Sequence, residues 1–144
     1  MTFPILKKLK AIDINAELNI VLKSLESQIL AMNTDDQLFK KGVTIEGVKI
    51  VPPYTPFTKA IKRRKGQPTN RVTTRDTGQY HKNFKVHFRK DEFYIDVIYQ
   101  TNEGDIASKL RNKYGDLEGL TDENVIRLSK MIQPLLIDAI KKRL

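Results

Sequence analysis

The sequence predicts an α+β fold, with N-terminal and C-terminal amphipathic helices packed on a small antiparallel sheet and a long basic loop between them. Three observations predict it. First, Leu18, Val21, Leu22, Leu25, Ile29 and Met32 recur at helical spacing near one end, as do Val125, Leu128, Ile132, Leu135, Leu136 and Ala139 near the other. Second, Phe84, Val86 and Phe88 alternate with Lys85, His87 and Arg89, and after Asp91-Glu92 the residues Phe93, Ile95, Val97 and Tyr99 alternate with Tyr94, Asp96 and Ile98. That is the pattern of a β-hairpin with one apolar face. Third, no acid occurs between Glu46 and Asp76, while cations crowd the same stretch.

In chain order, Thr2 to Ala11 form an apolar and basic lead in which Phe3, Ile5 and Leu6 are docking residues. Asn15 is the expected cap of a helix running from about Ala16 to Met32. Glu17, Lys23, Ser24 and Ser27 lie off its apolar stripe. Thr34 and Gln37 have capping-box spacing, and Gly42 ends the short helix they would begin. Gly42 to Val51 alternate around Glu46-Gly47 as a small hairpin, which Pro52-Pro53 ends. Thr55 followed by Pro56 starts a short helix over Phe57 to Arg64, and Lys65-Gly66-Gln67-Pro68 stops it. Pro68 to Thr74 read as loop. Asp76 is expected to cap the turn that follows, and Gly78 to permit close backbone packing there. Tyr80, Asn83 and Phe84 then recur at helical spacing. Asp105 caps a short helix carrying Ile106 and Leu110, which Gly115 stops. Thr121 caps the last helix, with Asp122 and Glu123 at its positive end and Lys141, Lys142 and Arg143 at its negative end.

Whole-chain composition bounds the function. A chain of 144 residues, 40% hydrophobic and 30% charged, fits a single domain over residues 1–144, within which residues 52–75 form an extended basic arm. No cysteine is present, which excludes disulfides and thiolate metal sites. No apolar run reaches membrane-spanning length, so no membrane contact is expected, and the first residues do not form a secretory signal. The net charge of +9 points to an acidic partner or to nucleic acid, or else only aids solubility.

Lys59, Lys62, Arg63, Arg64, Lys65, Arg71 and Arg75 are the candidate contacts to DNA or to an acidic protein surface. The arm from Lys59 to Arg75 is expected to be mobile in an isolated subunit, because Val72 is the only large apolar residue between Gly66 and Arg75. The competing reading is an ordinary solvated loop. Asp76-Thr77-Gly78 matches the triplet of aspartic proteases, but a polar and basic stretch precedes it, and Arg75 would keep Asp76 ionised where a dyad must share a proton. A structural turn at Asp76, Thr77 and Gly78 is favoured. His81 and His87 are the only histidines, and both are expected on wet faces. Neither a metal site nor a cofactor motif is predicted, and no enzymatic activity. The last helix carries a second apolar flank at Ile126, Ile137 and Ile140. A small sheet cannot hide both wide helix faces, so this flank is the candidate oligomer interface.

The order of features resembles bacteriophage tail-completion and head–tail joining proteins. The resemblance runs from about Ala16 onward. It rests on the N-terminal helix, the basic loop, the motif DTGQYHKNF, the hairpin and KYGDLEGLTDEN before the last helix. Asp76, Thr77 and Gly78 match the family's pattern, in which Tyr80 stands where Leu is usual, Asn83 where Ser is frequent and Phe84 where Ile is frequent. The resemblance implies a non-enzymatic virion component assembled in the host cytoplasm. It would form a homo-oligomeric ring in the neck or tail around the DNA channel, beside portal, connector or tail proteins. A small nucleic-acid-binding protein acting alone through the basic arm is the alternative, and a small hydrolase using His81 is a third, weaker one.

Overall fold

The computed structural model describes residues 4–90 and 92–144. It is a mixed α+β arrangement in which seven α-helices, a π-helical segment and two small antiparallel sheets are found among the described residues. Phe3 and Asp91, both named in the sequence reading, lie outside the described residues.

Helix α1 (Pro4–Ala11) buries none of its residues, and Ile5 and Leu6 are exposed. Helix α2 (Ile14–Ser24) begins two residues earlier than Asn15 would set it. Its cap is Asp13, whose Oδ1 accepts the Ala16 N–H at 3.1 Å. The predicted single helix from Ala16 to Met32 is interrupted at Leu25, which leaves the helical region (φ −101°, ψ 11°) before α3 (Glu26–Ala31). The cause is local. Ser24 Oγ donates to the Val21 carbonyl at 2.6 Å, and the Leu25 N–H closes a tight turn onto Leu22 at 3.0 Å. The apolar stripe survives the break, so Val21, Leu22, Leu25, Ile29 and Met32 are all buried. Glu17, off that stripe, is nevertheless buried and pairs with Arg143 at 2.9 Å.

Thr34 and Gln37 start no new helix. The chain runs directly from α3 into the π-helical segment Met32–Lys41, which Gly42 ends in the left-handed region (φ 62°). Thr34 Oγ1 donates back to the Leu30 carbonyl at 3.0 Å, and Gln37 is fully buried for another purpose. Asn33, Gln37 and Asn124 form an amide network that clamps the stretch before the last helix. Asn33 Nδ2 donates to the Leu117 carbonyl (2.9 Å) and its Oδ1 accepts the Gly119 N–H (2.8 Å). Gln37 Nε2 donates to the Gly119 carbonyl (2.8 Å), while its Oε1 accepts the Thr121 N–H (2.9 Å) and Asn124 Nδ2 (2.8 Å). Every buried amide here has partners, as burial demands.

After Gly42 the expected hairpin is reduced to one bridge, Val43 to Lys49, with Ile50 buried behind it. Helix α4 (Pro56–Arg64) is capped by Thr55, whose hydroxyl accepts the Thr58 N–H at 3.2 Å. After the short helix α5 (Gln79–Lys82), β1 (Phe84–Phe88) pairs antiparallel with β2 (Phe93–Val97) in the register Phe84 to Val97 through Phe88 to Phe93. Tyr99 falls beyond the strand. A second, two-residue ladder, β3 (Gln100–Thr101) with β4 (Gly104–Asp105), follows as a separate sheet. The small antiparallel sheet expected from the sequence is thus divided into two separate sheets of two strands.

Asp105 caps α6 (Ile106–Tyr114), and Thr121 caps α7 (Asp122–Arg143). Helix α7 packs along α2, and α3 lies on β1. The core-facing side of α7 is turned from the predicted stripe. Asn124 and Leu128 are buried, while Val125 and Leu135 are exposed, because the amide network pulls Asn124 inward.

Candidate functional site

The seven cations of the basic run do not act together. Arg63 and Arg64 stand exposed at the end of α4, with no ion-pair partner among the described residues. Lys59 is half-buried on the same helix. Lys65 pairs with Asp76 at 2.7 Å. Lys62 is buried, only 8% exposed. Its ammonium lies 4.7 Å from the Tyr54 ring centroid and donates to Gln67 Oε1 (3.3 Å) and the Arg75 carbonyl (3.4 Å).

Arg71 and Arg75 fasten the second half of the run to the π-helical segment. Arg71 Nε donates to the Phe39 carbonyl at 2.7 Å. Arg75 pairs with Asp35 at 2.7 Å, and its guanidinium sits 4.2 Å from the Phe39 ring centroid. Val72 and Thr73 between them are buried, and the Thr73 N–H donates to the Tyr54 hydroxyl at 3.0 Å. Gly42 makes this approach possible, since a Cβ there would lie 2.9 Å from both Arg71 Cβ and the Val72 carbonyl oxygen. An extended arm is therefore replaced by a helix and a return strand of loop packed on the body. One apolar anchor suffices because cation–π contacts, ion pairs and the Tyr54 hydrogen bond add to it.

The Asp-Thr-Gly turn is also built differently. Asp76 caps nothing. Its side chain is turned to Lys65, and the Lys65 hydrogen bond holds its carboxyl below the usual carboxylate range. Thr77 Oγ1 takes the local role instead, accepting the Gln79 N–H at 3.3 Å. Gly78 meets nothing within 4 Å of where a Cβ would lie, so it serves its left-handed φ of 87° and not close packing.

His81 is buried, contrary to its expected wet position. Its Nδ1 accepts from Arg75 Nε at 3.0 Å, which places the ring proton on Nε2, 2.9 Å from Thr74 Oγ1. Thr74 Oγ1 in turn donates to the Thr73 carbonyl at 2.6 Å. Burial, with the Arg75 charge beside it, pushes the imidazole down to about 4. Tyr80 and Phe84, the residues predicted to share a face, meet edge-on at 5.0 Å and wall in the ring with His81. Thr74 itself is the one non-glycine residue with positive φ (54°) among the described residues, an unusual conformation for a β-branched side chain. His87 does lie on the exposed face of β1, stacked on Tyr94 at 4.9 Å.

Beside this turn lies a cleft of about 350 Å³ whose walls include Tyr54, Tyr80, Tyr99 and Tyr114, four of the protein's five tyrosines. No sequence motif marks it, because the four rings come from separate elements. On α7, Ile126 and Ile137 are 57% and 51% exposed, while Ile140 is half-buried. Among the described residues no helix is long and apolar enough to cross a membrane, and no group of three His, Asp or Glu side chains is placed to hold a metal ion. Compared with protein-family models, with curated proteins and with solved structures, the chain matches none.

Proposed function

We propose that this chain is a structural virion protein, a subunit of a ring at the head–tail connection or upper tail of a bacteriophage, around the channel through which DNA passes. The observation that carries the reading is the apolar surface left open along α7, with Ile126 and Ile137 in water on a helix otherwise docked to α2. Two large apolar side chains left in water on one helix support an interface there. The order of elements around Asp76-Thr77-Gly78 resembles head–tail joining proteins and names the kind of assembly. Its neighbours would be portal, connector or tail proteins, and it would assemble in the host cytoplasm. The ring subunit needs no chemistry of its own. Asp76, tied to Lys65, is unsuited to sharing a proton, and both nitrogens of His81 are already occupied.

Sedimentation velocity over a range of concentrations tests the reading, with negative-stain microscopy of the largest species. The wild type should form a closed oligomer, and Ile126→Lys/Ile137→Lys should remain a monomer with an unchanged melt, since both positions are exposed in the isolated subunit. A wild type that stays monomeric at every concentration would end it.

A second reading, a nucleic-acid-binding protein acting alone, is favoured by one observation: Arg63 and Arg64 are exposed and unpaired among the described residues. In that case the monomer would bind duplex DNA with an affinity falling steeply in salt, and Arg63→Gln/Arg64→Gln would flatten that dependence.

A further inference from the structure

The tyrosine-lined cleft contains a buried cation that makes no direct ion pair among the described residues. Lys62 lines it, buried, and no carboxylate pairs with its ammonium among the described residues; its partners are the neutral oxygens of Gln67 and the Arg75 backbone. A buried cation satisfied only by neutral groups sits well below its best electrostatic environment. The other charges nearby are committed or opposed. Arg75 pairs with Asp35; Asp76 pairs with Lys65 and feels Lys62 only at longer range; and Glu103 contributes one further negative charge at the cleft.

The rings divide in the same way. The Tyr54 hydroxyl accepts from Thr73, and the Tyr80 hydroxyl donates to Glu118 at 3.1 Å. Burial and the Glu118 carboxylate both push the Tyr80 phenol up, so it remains a donor already in use. Tyr99 and Tyr114, half-buried, donate to no group among the described residues, and they line the cleft together with the apolar Ile106 and Leu110. The strained Thr74 forms part of the same wall, and backbone strain of this kind gathers at binding sites.

We propose that this cleft binds one carboxylate carried beside an apolar side chain, presented by an acidic segment of a partner protein. The carboxylate takes the Lys62 ammonium and the Tyr99 and Tyr114 hydroxyls, and the apolar neighbour takes the ring faces. A single carboxylate suits the site better than a phosphate, because Lys62 makes no ion pair among the described residues but shares the cleft with Asp76 and Glu103, and cannot balance two further negative charges. A partner segment suits it better than a free small molecule. Sites for small ligands enclose most of the ligand surface, whereas three of these four tyrosines, Tyr54, Tyr99 and Tyr114, remain partly in water.

The test is fluorescence anisotropy on the isolated chain with a panel of labelled peptides in which one Glu is flanked by Phe or Leu. Because it needs no assembly, its failure leaves the ring reading standing. The acidic peptides should bind, and their Gln counterparts should bind about tenfold more weakly, the difference expected for a charge-assisted hydrogen bond. Lys62→Met should weaken the acidic peptides by about the same factor and leave the Gln peptides unchanged. A phosphoserine in place of the Glu should not tighten binding. If Lys62→Met fails to fold by circular dichroism, Tyr99→Phe/Tyr114→Phe decides, with the same selective loss expected. Absence of binding, or equal binding of Glu and Gln peptides, would overturn the proposal. Equal displacement by free N-acetylphenylalanine would overturn the partner segment in favour of a small-molecule site.

Discussion

In the first half of the basic run, Arg63 and Arg64 stand in water at the end of α4; in the second half, Arg71 and Arg75 lie across Phe39 with their donors engaged. The residue types are the same and the two stretches are only a loop apart. What separates them is the surface each one meets. At the end of α4 the two guanidinium groups meet no carboxylate among the described residues, whereas the return strand runs along the π-helical segment, which offers a ring, a backbone carbonyl and Asp35. Guanidinium groups suit that second task because they stack and donate in a plane at the same time. Positive charge in a sequence therefore marks two different roles here, a free surface and an internal clamp.

The difference can be broken from the clamp side first. The largest effect expected is acid sensitivity. His81 is held neutral in the folded chain with its pKa lowered to about 4, against about 6.5 when unfolded. Above pH ~6.5 both states are neutral and the full stability is present. As the pH falls from there, the unfolded chain takes up a proton that the folded chain refuses. Stability should then decline by up to ~1.4 kcal/mol per pH unit until the folded imidazole also protonates near about 4, a total of about 3 kcal/mol. Urea melts across that window should show the slope, and His81→Gln should lose it.

Next in size is Arg75→Met. It strands the buried Nδ1 of His81 and removes the contact over Phe39, which together should cost about 2–3 kcal/mol. Thermal melts should fall by about 5–10 °C. Asp76→Ala should cost less than about 1 kcal/mol, because it breaks only an exposed ion pair with Lys65. A larger loss would restore the capping role that the geometry denies it. The smallest effect belongs to the free half. Arg63→Gln/Arg64→Gln should leave stability within about 0.5 kcal/mol of wild type, while lowering retention on a heparin column.

Much of the fold was legible wherever the chemistry is local. Thr55, Asp105 and Thr121 cap the helices they precede, Gly42 and Gly115 end helical segments at positive φ (62° and 89°), and the β1–β2 pairing follows the alternation of Phe84, Val86 and Phe88. The failures occur where distant residues intervene. Asn33 and Gln37 look like ordinary polar helix positions until Leu117, Gly119 and Asn124 arrive as partners from far along the chain. Their hydrogen bonds turn α7 and override the capping-box spacing. Asp76 reads as a cap because nothing local reveals that Lys65 will fold back to it. His81 reads as exposed because its cover comes from Tyr80, Phe84 and Arg75 in combination. At the candidate site, the seven cations were legible as a set. Their division was not, since it depends on the ring of Phe39, and the tyrosine cleft was invisible because no two of its rings are neighbours in sequence.

The division of the basic run can be measured directly by phenylglyoxal modification of the folded chain, followed residue by residue with mass spectrometry. Arg63 and Arg64 should react at the rate of free arginine. Arg71 and Arg75 should be protected, and should become reactive only in urea concentrations that unfold the protein. Equal rates at all four positions in the folded state would contradict the clamp and return the whole stretch to a single mobile arm.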